Sequence, residues 1–132
     1  AVRSCGMSAS KSTVHLLTPS VEGAYADMME IIKNGEELAR CYFADNDLIA
    51  IGAMKAIKEA GLAIPGDIAV AGFDNMPAST VIEPPLSTVH VPKQYLGEAA
   101  AKRLIELLES PAQPAVKIEI ATTLMKRGST GK

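Results

Sequence analysis

Two short polar clusters, each following an apolar segment, hold residue types that could bind a small ligand. "DND" at 45–47 follows "ARCYFA", and Asp74 with Asn75 follows "IAVAGF". Carboxylate and amide groups can each make two hydrogen bonds, which suits the adjacent hydroxyls of a polyol such as a sugar. The alternative is that Asn46 or Asp47 caps a helix, and that Asp74 and Asn75 open a turn. Spacing alone leaves both interpretations open.

The segments around these clusters predict a βαβ unit. Residues 39–44 and 68–73 are typical of strands, and residues 48–60 between them predict a helix that ends at Gly61. A helix of this length joins two parallel strands through a right-handed crossover. Open parallel sheets bind ligands beyond the carboxyl ends of their strands, where both polar clusters fall. The predicted fold class is therefore α/β, with a doubly wound parallel sheet.

Further elements are predicted on either side of this unit. Residues 13–18 predict a strand, and a helix follows with Ser20 as its N-cap and Gly35 as its stop. On the other side the sequence predicts a helical turn at 77–82, an extended segment at 84–91, an amphipathic helix over 92–110, and one or two strands within 116–125.

Composition excludes several classes of protein. The chain has 132 residues, enough for one domain, and its net charge of −2 argues against gripping nucleic acid through phosphates. The basic tail "MKRGSTGK" is interpreted as a solvated terminus. Cys5 and Cys41 form no C-x-x-C pair, which indicates reduced thiols in a cytoplasmic protein. No apolar run reaches the roughly 18 residues of a membrane span.

The sequence gives no support for catalysis. Neither a phosphate-binding glycine motif nor a G-x-S-x-G elbow is present. His15 and His90 lie far from the cysteines and show no metal-ligand spacing. We therefore expect no metal, no cofactor and no enzyme activity.

Most of the chain, over about 39–130, resembles the ligand-sensing core of LacI/GalR-type bacterial transcription regulators. The shared motifs occur in the family's order: "ND" at 46–47, "IPGDIAVAGFD" ending at Asp74, "PPLSTV" at 84–89 and "KRGST" at 126–130. The resemblance implies a periplasmic-binding-protein-like fold, in which two α/β lobes hold an effector between them. Residues 1–132 would form the C-terminal lobe. The helix at 92–110 would belong to an N-terminal lobe missing from this sequence, as is the DNA-binding headpiece.

The resemblance also assigns residues to roles. It implies that a small sugar-like effector is bound by Asn46, Asp74 and, on a looser alignment, Ser20. It implies a homodimer surface at Ile51, Met54, Val81 and Ile82. Simple core burial is the alternative for Ile51 and Met54.

The sequence is compatible with three functions. The leading one is the sensing and dimerisation part of a cytoplasmic regulator that reaches DNA only through a separate helix-turn-helix domain. The alternative is a periplasmic sugar-binding protein of an ABC transporter, which has the same fold. A small α/β enzyme is the third. With its normal lobe missing, the leucine face of helix 92–110 is expected to bury on its own sheet or against a second copy, and we predict a dimer.

Overall fold

A computed structural model describes residues 4, 6 and 12–131 of the chain. Its centre is a four-stranded sheet in the order β1-β2-β3-β4. The strands are β1 (Cys41–Phe43), β2 (Ala69–Asp74), β3 (Ser87–His90) and β4 (Thr123–Met125). The first three are parallel, and β4 joins β3 in the antiparallel direction. The predicted α/β class with a largely parallel sheet is confirmed.

Three α-helices accompany the sheet, namely α1 (Val21–Lys33), α2 (Asp47–Glu59) and α3 (Lys93–Glu109). Two short 3-10 helices cover Pro77–Thr80 and Gly128–Thr130. Each predicted helix is present within one or two residues of its expected bounds. None of the helices in the described part of the chain is both long enough and apolar enough to cross a bilayer.

The core lies between the paired helices α1 and α2 and one face of the sheet. Its fully buried large side chains come from both helices and from β2, and include Met28, Met54, Ile57 and Val70. Val70 points into this core. Because side chains alternate along a strand, the neighbours of Val70 in β2 point to the opposite face of the sheet. That second face exposes Phe43 and Leu124, whose relative exposures are 64% and 65%.

The predicted strand at 13–18 does not form, and of the one or two strands expected within 116–125 one forms. Residues 13–18 make no ladder with β1, and Val14 and Leu16 are 80% and 91% exposed. The last residue of this segment is hydrogen-bonded to α1 instead, since Thr18 donates its backbone N–H to Asp27 Oδ2 at 2.6 Å. Residues 116–120 also lie outside the sheet, and Thr123–Met125 is the single terminal strand. Alternating apolar residues favour extended backbone, but a strand also needs a partner edge in register.

Helix α3 forms as predicted, but its leucine face does not fold back on the sheet. No residue of α3 is buried, and Leu104 and Leu108 are 59% and 72% exposed. The expectation that this face buries on its own sheet is therefore wrong. Within residues 12–131, α3 leaves the sheet with its apolar side chains in solvent.

Candidate functional site

Asp74 is the last residue of β2 and faces an open pocket of about 590 Å³. The pocket lies at the carboxyl ends of β2 and β3, which pair through Asp74 and His90. Its lining includes Asp74, Asn75, His90, Lys93, Tyr95 and Glu98. We call it the Asp74 pocket. Acidic, basic, amide and aromatic side chains converge there, as a polar ligand requires.

The Asp74 carboxylate is paired but still accessible. Lys93 Nζ donates to the backbone oxygen of Asp74 at 2.7 Å and lies 3.4 Å from Oδ1. The Asp74 side chain retains 34% of its exposure, so solvent or a ligand reaches it. An exposed ion pair of this kind is worth little. A ligand hydroxyl can therefore replace part of it at low cost.

The backbone at this strand end is unusual. Asp74 has φ 106° and Asn75 has φ 51°, so two successive residues other than glycine occupy the left-handed side of conformational space. Asp and Asn tolerate that region better than most residues, yet it carries strain that the surroundings must offset. We call residues 74–79 the Asp74 loop.

Asn46 and Ser20 both act as helix caps. Asn46 Oδ1 accepts from the backbone N–H of Ile49 at 2.9 Å, and Ser20 Oγ accepts from that of Gly23 at 3.0 Å. The capping alternative for Asn46 is therefore confirmed. Neither residue lines the Asp74 pocket in the described part of the chain. Of the three predicted effector contacts, Asp74 is therefore the one that lines this pocket.

Asp47, for which the sequence left ligand binding and helix capping open, holds the Asp74 loop in place. Its side chain is completely buried. Oδ2 accepts from the backbone N–H of Met76 at 2.6 Å, and Oδ1 accepts from Thr88 Oγ1 at 2.5 Å. Gly72 makes room for this carboxylate, because a Cβ there would collide with Asp47 Oδ1. The sequence shows the "ND" motif, but it does not show that Asp47 contacts Met76 and Thr88, which are distant in the chain.

Arg127 corrects the interpretation of the basic tail as solvated. Its guanidinium is partly buried and donates to Asn75 Oδ1 at 2.6 Å, Ser79 Oγ at 2.9 Å and the Leu86 carbonyl at 2.8 Å. These three acceptors place Arg127 directly behind the Asp74 loop. Sequence reasoning missed this role because the contacts span 40 residues or more.

His90 completes the polar surroundings of the loop. Its Nδ1 lies 3.2 Å from Asn75 Nδ2, and the ring lines the Asp74 pocket. Asn75 thus lies between Arg127 and His90, which fixes the direction of its amide. Asn75 is consequently a supporting residue of the pocket as well as a lining residue.

The four residues assigned to a dimer surface lie in different environments. Met54 is completely buried inside the protomer, so its assignment to that surface is corrected to core packing. Ile51 and Ile82 are half-buried against the same core. Val81 is 84% exposed. Of the four side chains, Val81 is therefore the most available to a partner.

Comparison with known families gives an extensive match. The profile of the periplasmic binding protein-like domain matches residues 1–130. A solved structure of a LacI family transcriptional regulator from Enterococcus faecium, with bound ribose, superposes with a TM-score of 0.84. It is 27% identical in sequence, and the match covers 98% of this chain and 47% of that one.

Two curated relatives are similar in sequence. The ribose operon repressor of Escherichia coli strain K12 is 39% identical over 87 residues, which cover 66% of this chain and 26% of the repressor. The lactose operon repressor of Rhizobium radiobacter is 42% identical over 89 residues, which cover 67% of this chain and 78% of that protein. The chain thus spans about a quarter of the length of the ribose operon repressor.

Proposed function

This chain belongs to the periplasmic binding protein-like domain family as it occurs in LacI-type regulators, and we propose on that premise that it is the C-terminal lobe of an effector sensor. The observation that carries the proposal is the Asp74 pocket, where an accessible carboxylate ends a central strand beside an amide, an imidazole and an ammonium group. This arrangement offers both acceptors and donors to a small polar ligand.

The proposed effector is a sugar or a related polyol. The solved relative from Enterococcus faecium has ribose bound, and the curated relatives are named for ribose and lactose operons. Asp74 would accept hydrogen bonds from two neighbouring hydroxyls of such a ligand. Asn46 and Ser20 would contribute from the helix caps at α2 and α1 once the rest of the cleft is in place.

The exposed apolar side chains of the lobe support the proposal that it is part of a larger, dimeric regulator. In our proposal α3 packs its exposed leucines into a second lobe outside this chain, while Val81, Ile51 and Ile82 contribute to a homodimer surface. DNA would be read by a separate domain of a cytoplasmic protein. Effector binding would change the angle between the lobes and shift the population of DNA-competent dimers.

The main alternative is a periplasmic sugar carrier of a transporter with the same fold. The regulator is favoured because the curated relatives are named as repressors. Repressors are not enzymes, which also argues against the small-enzyme alternative.

The proposal is tested by titrating the isotopically labelled chain with D-ribose, lactose and further monosaccharides while recording amide NMR spectra. We expect saturable shifts at Asp74, Asn75 and Lys93 with at least one sugar. Millimolar ligand is required, because one lobe supplies only part of the contacts. Asp74→Ala should abolish the shifts. Asp45→Ala, which removes an exposed carboxylate on the preceding strand-to-helix loop, should keep them.

Either of two results would overturn the proposal. The first is the absence of any saturable shift in a chain whose spectrum is that of a folded protein. The second is an unchanged titration in Asp74→Ala.

A further inference from the structure

We propose that Arg127 and Asp47 are positioning residues for Asp74, which hold the Asp74 loop from two sides and so set effector affinity without touching the effector. The inference rests on the proposed function in one respect, namely that Asp74 contacts the effector. It assigns the buried Asp47 carboxylate and the Arg127 guanidinium a role that neither the pocket lining nor helix capping accounts for.

The loop needs such support because its backbone is strained. Asp74 and Asn75 have φ values of 106° and 51°, which cost free energy for residues that carry a Cβ. Asp74 ends β2 and Asn75 lies beyond it, so the strand ladder alone does not fix Asn75. A strained conformation persists only where neighbouring groups determine it. The hydrogen bonds of Asn75 and Met76 therefore decide where the Asp74 carboxylate points.

The Asp47 side of the support is a short chain of hydrogen bonds through Thr88. Thr88 Oγ1 donates to Asp47 Oδ1 at 2.5 Å and accepts from the backbone N–H of Asn75 at 3.2 Å. The other oxygen of Asp47 accepts directly from Met76. Two successive backbone N–H groups of the loop are thus fixed by one buried carboxylate.

The Arg127 side depends on the shape of the guanidinium. One nitrogen, Nη1, donates to both Ser79 Oγ and the Leu86 carbonyl, and the other, Nη2, donates to Asn75 Oδ1. The rigid, planar fork therefore joins Asn75 and Ser79 of the Asp74 loop to Leu86, which directly precedes β3. The backbone of Arg127 is itself anchored, because its N–H donates to Ser87 Oγ at 2.7 Å. A lysine has one nitrogen and cannot reproduce this geometry.

The test compares Arg127→Lys with Arg103→Lys. Arg103 is a matched control, because its guanidinium also holds three acceptors, on Glu106, Gln113 and Pro114, but at α3 and the loop after it. A second pair, Thr88→Val and Thr88→Ser, removes and then restores the hydroxyl that links Asp47 to Asn75. Two quantities are measured in the folded chain. The first is the set of three-bond HN–Hα and HN–Cβ couplings of Asp74 and Asn75, which together distinguish positive from negative φ. The second is D-ribose affinity from NMR titration.

We expect Arg127→Lys and Thr88→Val to let Asp74 and Asn75 exchange with ordinary negative φ, which moves the couplings toward the values of that region. Ribose binding should weaken by about 10-fold or more, up to the loss of saturable shifts. Thr88→Ser should restore both quantities, and Arg103→Lys should change neither. The proposal is overturned if the couplings stay at wild-type values, or if they change while ribose affinity does not. If Arg127→Lys fails to fold, the Thr88 pair decides. If the wild type binds no sugar, the proposed function fails, whereas the couplings still decide whether these residues hold the loop.

Discussion

The Asp47 carboxylate, completely buried at the first residue of α2, accepts a 2.6 Å hydrogen bond from the backbone N–H of Met76. The two residues are 29 positions apart in the chain. Asp47 begins the helix that follows β1, and Met76 lies in the loop that follows β2. The contact therefore joins the carboxyl ends of two neighbouring strands, at the edge of the sheet where the Asp74 pocket opens.

Replacing Asp47 with alanine should destabilise the fold. The change leaves the Met76 N–H and the Thr88 hydroxyl without their acceptor in a buried site, at a cost of about 1–3 kcal/mol per unsatisfied group. We expect the free energy of unfolding, measured by urea denaturation, to fall by about 2–6 kcal/mol, the sum for the two groups. Asp45→Ala should stay within about 0.5 kcal/mol of wild type, because its side chain is exposed. Equal effects of the two variants would contradict the role given to Asp47.

Gly72 should not tolerate a methyl group, because the Asp47 carboxylate occupies that space. An added Cβ would collide with Asp47 Oδ1 and would lie 3.1 Å from Leu86 Cδ2. We expect Gly72→Ala to lower the free energy of unfolding by about 1–3 kcal/mol, the usual cost of overpacking.

Gly97 provides the opposite control for that measurement. It lies inside α3, and a Cβ there would meet nothing within 4 Å. Alanine is the better helix former, so Gly97→Ala should stabilise α3 by about 0.5–1 kcal/mol. Thermal melts of the two variants should therefore shift in opposite directions. A stabilising Gly72→Ala would show that Asp47 does not lie over β2.

Local patterns were sufficient for β1, α2 and β2, because an apolar run, a capping side chain and a closing glycine lie close together in the sequence. They also located Asp74 at a strand end. They could not show that Asp47 reaches Met76 or that Arg127 reaches Asn75, which are 29 and 52 residues apart. Residues 13–18 and 116–120 lie outside the sheet for a related reason. Extended propensity is local, whereas pairing depends on a distant edge.

Asp27 should make stability depend on acidic pH. The backbone N–H of Thr18, and then its hydroxyl, hold the pKa of the Asp27 carboxyl below its ordinary value of 3.8. Because the pKa of Asp27 is lower in the folded state, its ionised carboxylate stabilises the fold. This stabilisation is complete above the ordinary value of 3.8 and is lost as the pH falls through the folded-state pKa. Asp27→Asn should therefore be less stable than wild type at neutral pH.

The measurement for Asp27 is urea denaturation of both proteins across a pH series, together with NMR titration of the Asp27 carboxyl carbon. The difference between wild type and Asp27→Asn should narrow as the pH falls below 3.8. Asp45→Asn controls for the loss of one negative charge. A difference that is independent of pH would rule out this linkage.

The strained backbone of Asp74 should lower the stability of the fold, whereas its carboxylate serves binding. Asp74→Gly removes the strain of φ 106° and loses only an ion pair whose partners are 52% and 34% exposed. Asp74→Ala loses the same ion pair but keeps a Cβ in the left-handed region. We expect the glycine variant to be more stable than the alanine variant by about 1 kcal/mol, and neither to bind D-ribose. Urea denaturation and the NMR titration measure the two quantities separately. A more stable alanine variant would mean that residue 74 does not have a positive φ. That result would also contradict the proposed orientation of the Asp74 carboxylate.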